Sequence, residues 1–287
     1  MAPAQSDLQP QSAPKATAAA QAAIGDGLVA EAQAFADELA AWRHDLHQMP
    51  ELGNSLPQTS AYIQARLTEM EIPFATLVDG SCVVGLVGAG AAAAQGNGVC
   101  TDEQAGTVIM LRGDMDALPV AEESGESFAS VNGCMHACGH DMHATALLGA
   151  ARMLKARETE LVDANATVKL LFQPGEETFE GARAAIADGL LQNPRPQVAF
   201  AMHVNSQSPL GLVLYGSPAL SGVYGFRITL QGKGGHGSSP EICIDPITAG
   251  VHVHLALQEL IAREVPAAEE VALTVAVRRR SGRKCHP

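Results

Sequence analysis

The chain has 287 residues, 47% of them hydrophobic and 17% charged, which is enough for a substantial core and for two domains. No uninterrupted apolar run reaches the roughly 18 residues that a membrane helix needs, so the composition argues against a membrane protein. A formal charge of -13 argues against a nucleic-acid backbone as partner and favours metal cations as ligands. The six cysteines are too sparse for a disulfide scaffold, and they predict reduced thiols in a cytoplasmic protein.

The first third of the chain predicts helices followed by a strand. Residues 1–27, rich in Ala, Gln, Pro and Ser, predict a disordered leader and lack the apolar core of a secretory signal. Apolar residues at helical spacing predict a helix from Phe35 to Leu46 and a second from Thr59 to Met70, with Thr59 as its cap. Residues 81–87 predict a strand, and the Gly- and Ala-rich stretch 88–106 predicts a flexible loop.

Strands and helices then alternate. Short, β-branched apolar runs predict buried strands at residues 107–111, 167–172 and 197–202, with helices between them at 143–156 and 182–190. This alternation predicts an α/β fold with a mostly parallel sheet flanked by helices. A polar cluster directly follows each of the three strands, where such sheets place their ligand crevice.

The pattern changes after about residue 217. Alternation at 223–230 predicts a strand, residues 245–263 predict a helix, and residues 271–277 predict another strand. We therefore expect a catalytic domain at 28–216 and a smaller, incomplete α+β domain at 217–287.

The densest chemical signal is "HACGHDMH" at residues 136–143. Cys138 and His140 lie two residues apart, and sulfur with imidazole suits zinc or another first-row cation. A structural zinc knuckle and a merely reactive loop are the alternatives at this point.

Glu176 and Glu177 follow a predicted strand and should project in opposite directions, so one could bind a metal while the other takes a proton from water. Plain solvated charge is the competing interpretation of this pair.

Four further residues are candidates because of their positions. His203 should emerge at the same sheet edge, which makes it a candidate ligand. Asp114 and Asp116 could orient the ligands from behind, or could cap a helix or turn. His236, flanked by glycines, is either a turn residue or an electrophile that stabilises an oxyanion.

Six motifs in order carry a resemblance to a known family. They are "LHQMPELG" (46–53), "RGDMDALPV" (112–120), "GCMHACGHDMHATALLGAA" (133–151), "LLFQPGEETFEGARAAIADGLL" (170–191), "AMHV" (201–204) and "GKGGHGSSPEICIDPI" (232–247). Together they closely resemble the metal-dependent amidohydrolases of the aminoacylase and carboxypeptidase type. The nearest branch includes hippurate hydrolase, N-acyl-amino-acid hydrolases and auxin-conjugate hydrolases. The resemblance covers roughly residues 28–275.

The resemblance implies a catalytic domain with a two-metal site and an inserted lid or dimerisation domain. It implies that two divalent ions, zinc or manganese with cobalt or nickel as alternatives, are held by Cys138, His140, Glu177 and His203. Glu176 would be the general base for an activated water, and His236 would be the lid histidine that reaches the substrate carbonyl. The implied substrate is a small N-acyl amino acid, and the implied assembly is a homodimer through the lid. Asp114 stands where other branches place a histidine ligand.

The C-terminal end departs from the resemblance. Family members resume the catalytic domain after the lid and supply one more metal-binding histidine, whereas this sequence ends within the lid in "RRRSGRKCHP". We therefore expect a C-terminally truncated chain. A catalytically impaired fragment that still binds metal is the alternative to an active amidohydrolase. A third interpretation, a cysteine hydrolase that uses Cys138, predicts thiol alkylation without metal loss.

Overall fold

The computed structural model describes residues 18–97, 100–214, 222–269 and 271–276. The chain divides into two compact units, with the boundary between Gln207 and Ser208. No helix in the described ranges is both long and apolar enough to cross a membrane.

Three helices open the first unit: α1 (Ala18–Ala34), α2 (Ala36–His47) and α3 (Pro57–Glu69). Helix α2 confirms the predicted first helix. Helix α1 corrects the expected disorder for residues 18–27, because this alanine-rich stretch has high helix propensity; residues 1–17 of the predicted leader lie outside the described residues. Thr59 is not the cap of α3, because the helix already begins at Pro57. The Glu51 carboxylate instead accepts the backbone N–H groups of Gln58 and Thr59, at 3.2 and 2.8 Å.

A five-stranded sheet forms the centre of this unit. Its strands are β1 (Phe74–Leu77), β2 (Cys82–Gly88), β3 (Thr107–Asp114), β4 (Ala166–Gln173) and β5 (Val198–Ala201), in the spatial order β1-β2-β4-β3-β5. Strand β3 pairs in parallel with β4 and with β5, whereas β2 runs antiparallel to both of its neighbours. Four of the five strands therefore share one direction, which confirms the mostly parallel α/β fold.

Five more helices connect the strands: α4 (Ala89–Asn97), α5 (Asp102–Ala105), α6 (His140–Lys155), α7 (Glu158–Asp163) and α8 (Gly181–Ala187). Helices α6 and α8 confirm two predicted helices. Helices α4 and α5 show that the predicted loop at 88–106 was wrong. A capping box explains α5, because Thr101 and Gln104 reciprocally accept each other's backbone N–H groups.

The core lies on both faces of the sheet. Alternate residues of one strand point to opposite faces, so Leu170 packs with α2, α3 and α6, whereas Leu171 packs with Val84 and with Ala185 of α8. Strand β4 is almost completely buried, and all four residues of β5 are exposed. The edge formed by β5 is therefore open along the described part of the chain.

The second unit has fewer regular elements among its described residues. A short 3-10 turn at Pro240–Ile242 precedes helix α9 (Pro246–Arg263), which confirms the predicted helix and is capped by the Asp245 side chain. The predicted strand at 223–230 is wrong, because no described residue pairs with it and an alternating pattern alone provides no partner for its backbone groups. Residues 271–276 of the other predicted strand also lack regular structure, and Val277 lies outside the described residues.

Candidate metal centre

The candidate site lies at one edge of the sheet in the first unit. Strands β3, β4 and β5 are parallel, so their carboxyl ends meet there. Asp114 ends β3, the Glu176–Glu177 pair follows β4 after a Pro-Gly turn, and His203 follows β5 by two residues. Cys138 and His140 arrive from the start of α6, which packs against β3. The topology therefore brings segments that are distant in sequence to one place.

Five of the candidate side chains converge, and His140 lies at their centre. The ligand atoms of Cys138, His140 and His203 lie within 4.8 Å of one another, and so do those of His140, Glu176 and Glu177. The Cys138 Sγ atom is 3.4 Å from the His203 Nε2 atom. The His140 Nε2 atom is 3.9 Å from Glu176 Oε2 and also 3.9 Å from Glu177 Oε1. Because His140 belongs to both groups, the two groups form one cluster.

The polar atoms at the centre of this cluster suit a divalent cation. His140 Nδ1 donates a hydrogen bond to the Asp116 carbonyl at 2.7 Å, which turns the lone pair of Nε2 towards the two glutamates. Both His140 Nε2 and Glu177 Oε1 are buried and have no hydrogen-bond partner among the described residues. A buried imidazole nitrogen and a buried carboxylate oxygen that face each other would be costly unless a cation lay between them. The donor set of nitrogen, sulfur and oxygen therefore fits zinc or a similar ion.

The charges around the cluster act in the same direction. Burial alone would lower the pKa of His140, but its hydrogen bond to Asp116 and the nearby Asp114 and Asp116 carboxylates raise it. The negative potential that favours a proton on this imidazole would equally favour a metal cation.

The Cys138 thiol is poorly suited to be a free nucleophile. Its pKa is raised to about 12, first by burial and then by the carboxylates of Glu177 and Glu176. A thiol with this pKa is almost entirely protonated near neutral pH, whereas a bound cation would stabilise the thiolate. The surroundings of Cys138 thus favour a ligand over the nucleophile of a cysteine hydrolase.

Asp116 has both of the roles considered from its position, orienting a ligand and capping a turn. Its buried carboxylate accepts the backbone N–H groups of Glu176 and Glu177, both at 3.0 Å, and so caps the turn that carries them. Its carbonyl accepts the His140 Nδ1 proton at 2.7 Å. One residue therefore orients a histidine and both glutamates without offering its own side chain to the centre.

Asp114 borders the cluster, with its Oδ2 atom 3.6 Å from His140 Nε2, and is held by two basic groups. Its Oδ1 atom is 2.5 Å from His143 Nδ1, and its Oδ2 atom is 2.9 Å from Arg112 Nη1. Burial would raise the pKa of Asp114, but these two partners and His140 lower it, so the carboxylate stays ionised. Sequence reasoning missed His143, although its position three residues after His140 in a helix places both on one face.

A second buried polar group supports the long connection between β3 and α6. His47, at the end of α2, lies 2.9 Å from Asp141 Oδ2 through Nδ1 and 3.1 Å from Glu122 Oε1 through Nε2. Asp141 also accepts a hydrogen bond from Arg43 at 2.9 Å. Farther along the connection, Asn132 donates to the carbonyl of Pro50 at 2.9 Å. These contacts fix the segment that leads into Cys138. In the sequence, only the "LHQMPELG" motif pointed to this region.

His236 lies in the second unit. Its Nδ1 atom is 2.7 Å from the Ser238 hydroxyl and accepts the Ser238 backbone N–H at 3.2 Å, so the histidine belongs to a local turn. Its expected contact with a substrate carbonyl stays a prediction.

Comparisons with known proteins identify the family. The model of peptidase family M20/M25/M40 matches residues 110–280. IAA-amino acid hydrolase ILR1-like 4 of Arabidopsis thaliana is 39% identical over 84% of this chain and 51% of its own length. N-acetylcysteine deacetylase of Bacillus subtilis is 34% identical over 85% of this chain and 60% of its own length.

A solved structure supports the fold. The YXEP protein of Bacillus subtilis, described as a dinuclear metal-binding peptidase of the M20 family, is 34% identical with a TM-score of 0.53, over 62% of this chain and 46% of its own. The chain spans about half the length of these relatives. The family model matches more than half of the chain, from β3 in the first unit to residue 280 in the second. The chain therefore belongs to peptidase family M20/M25/M40.

Proposed function

We propose that this chain acts in the hydrolysis of the amide bond of N-acyl amino acids, with divalent metal ions as cofactors. The observation that carries the proposal is the pair of buried, unpartnered atoms, His140 Nε2 and Glu177 Oε1, which face each other at 3.9 Å in the described part of the chain. The names of two relatives, an IAA-amino acid hydrolase and an N-acetylcysteine deacetylase, supply the substrate class.

Cys138, His140, Glu177 and His203 are the residues that would hold the ions. Their donor atoms are a sulfur, two imidazole nitrogens and a carboxylate oxygen, as a first-row divalent ion prefers. Metal ions in such a site polarise the substrate carbonyl and make water more acidic. Zinc or manganese remains the predicted identity, with cobalt or nickel as alternatives.

Glu176 would move the proton. Of the two glutamates it has the more exposed side chain, 32% against 22%, and it is Glu177 that holds the buried, unpartnered oxygen. This difference supports the division of labour in which Glu177 binds metal and Glu176 faces the incoming water. Glu176 would take a proton from that water and then deliver it to the departing amine nitrogen, so that no acyl-enzyme forms.

Two further assignments complete the proposal. His236 would stabilise the oxyanion that develops on the substrate carbonyl, and the second unit would serve as lid and dimer contact. Both belong to the whole protein as the family resemblance implies it. They are tested by the activity of His236→Ala and by the mass of the protein in solution.

The decisive test is turnover of hippurate and of N-acetyl amino acids by the metal-loaded chain. Glu176→Gln should lower kcat by about 10²–10⁴-fold, because general acid–base catalysis contributes that much, while metal content stays unchanged. Glu180→Gln is the matched control, because Glu180 follows shortly after on the same segment and its side chain is exposed. Metal binding without turnover by the unaltered chain would refute an active amidohydrolase and support the metal-binding fragment. Turnover that survives both Glu176→Gln and a chelator would refute the mechanism.

A further inference from the structure

His143 is buried beside the candidate centre and has no role in the proposed reaction. It lies on α6, three residues after His140, and only 1% of its surface is exposed. Its ring centroid is 5.4 Å from that of His140 and 4.5 Å from that of His203. A histidine in this position could be a further metal ligand, and its ligand atom does lie within 4.8 Å of those of Asp114 and His140.

The hydrogen bonds of His143 argue against that role. Its Nδ1 atom is 2.5 Å from Asp114 Oδ1, an ionised carboxylate that can only accept. Its Nε2 atom accepts the backbone N–H of Val204 at 2.9 Å, and a backbone N–H can only donate. In this arrangement Nδ1 donates and Nε2 accepts, so neither nitrogen of His143 offers a free lone pair to a metal.

The Val204 contact leads directly to His203. Val204 follows His203 in the chain, and the His203 ring packs edge-on against His143 at an interplanar angle of 73°. The Val204 side chain also packs closely over Gly139, where an added Cβ would lie 2.6 Å from Val204 Cγ2. By contrast, β5 and His203 are exposed, so the described structure offers this segment little other burial.

We propose that His143 is a positioning residue that holds the His203 segment at the metal centre. Arg112 and Asp114 fix the tautomer of His143, His143 binds the Val204 N–H, and Val204 fixes the backbone that presents His203 Nε2 beside Cys138. The inference rests on the proposed function, because it treats His203 as a metal ligand. It assigns a role to a residue that would otherwise be counted among the ligands themselves.

Two substitutions test separately the hydrogen bonds that His143 makes with Asp114 and with the Val204 N–H. In His143→Asn, the side-chain amide can still donate to Asp114 but is too short to reach the Val204 N–H. In His143→Gln, the amide oxygen can occupy about the position of Nε2 and accept from Val204. His252→Asn, at an exposed position of α9 in the second unit, makes the same chemical change and serves as control.

The experiment measures two quantities for each protein: hydrogen exchange of the Val204 amide without metal, and zinc affinity by competition with a chelator. His143→Asn should expose the Val204 amide to exchange and weaken zinc binding by about 10–100-fold, as loss of an orienting partner does. His143→Gln should retain more of both properties, and His252→Asn should change neither. With cobalt in place of zinc, the thiolate-to-metal absorption of Cys138 should persist in the His143 variants while the bands sensitive to geometry shift.

Two results would overturn the inference. One is Val204 exchange and zinc affinity that are unchanged in His143→Asn. The other is zinc affinity lost in both variants while the Val204 amide stays protected, which would make His143 a ligand. If the unaltered chain binds no zinc, the proposed function fails, but the exchange measurement still decides whether His143 holds the segment.

Discussion

Helix α6 in the first unit and helix α9 in the second are similar in length but differ in burial. Nine of the 16 residues of α6 are buried, because the helix packs against the sheet, whereas none of the 18 residues of α9 is buried. Both helices carry histidines. His140 and His143 are enclosed with carboxylate partners, whereas His252 and His254 are exposed. The difference teaches that a histidine on an amphipathic helix becomes a candidate ligand through the elements packed against it, not through its local sequence.

The strongest way to break this comparison is to remove a histidine from each helix. His140→Ala should abolish specific zinc binding, because His140 belongs to every group of candidate ligands in the described structure. The loss should exceed the about 10–100-fold that orienting partners cause. His252→Ala on α9 should leave zinc affinity unchanged. Titration calorimetry of the two variants checks this, and equal affinities would contradict the assignment of the centre to the first unit.

A leucine on each helix compares their packing. Leu148 on α6 is completely buried in the main core, whereas Leu255 on α9 is 53% exposed. Leu148→Ala should lower the free energy of unfolding by about 2–5 kcal/mol, because the cavity cannot fully collapse. Leu255→Ala should change it by no more than about 0.5 kcal/mol. Urea denaturation measures both, and a large effect at Leu255 would reveal that α9 is covered in solution.

An aspartate in each unit compares how the two regions hold their backbone N–H groups. The buried Asp116 carboxylate accepts two backbone N–H groups. Asp245 accepts the Ile247 N–H at 2.8 Å at the exposed start of α9. Asp116→Ala should cost about 1–3 kcal/mol, because partly buried N–H groups lose their acceptor, and it should also weaken zinc binding. Asp245→Ala should cost about 1 kcal/mol, as for a helix cap, without affecting zinc. Zinc affinity that survives Asp116→Ala would argue against its orienting role.

Lowering the pH tests the same comparison through a smaller effect on the free energy of unfolding. Burial would raise the pKa of Glu122, but hydrogen bonds from Ser124, the Ser130 N–H and His47 hold it at about 2, below its usual 4.5. Because the pKa is lowered in the folded state, Glu122 stabilises the fold above pH 4.5, and this contribution is lost as the pH falls towards 2. Glu122→Gln should therefore flatten the fall of unfolding free energy across this range. Glu259→Gln, at an exposed position on α9, should leave the fall unchanged.

Much of the first unit could be predicted from the sequence, because its signals are strong and local. The runs that became β3 and β4 are short, apolar apart from Lys169 and rich in β-branched residues, which is typical of buried strands. Strand direction then placed Glu177 and His203 at one edge before any side chain was located. The same reasoning could not assign Asp116, because its carbonyl and its carboxylate act on different partners and no spacing encodes that.

The errors have equally local causes. The stretch that forms α4 mixes alanine, the best helix former, with glycine, which favours loops, so composition pointed both ways. Residues 223–230 alternate as a strand would, but a strand also needs a neighbour for its backbone groups, and that is a property of other parts of a structure. His47 was missed for a similar reason, since its partners Glu122 and Asp141 are 75 and 94 residues away.

The connection between β3 and α6 offers a practical opportunity. Its tip at residues 123–127 is exposed, and a side chain added at Gly125 would meet nothing within 4 Å. On either side the tip is anchored, at Glu122 by His47 and at Phe128 by a ring stack with His44 at 3.8 Å. A fluorophore or short peptide tag inserted there should leave the anchors undisturbed. Such a label would lie on the segment that leads to Cys138. A change in its fluorescence could then report the binding of a cation.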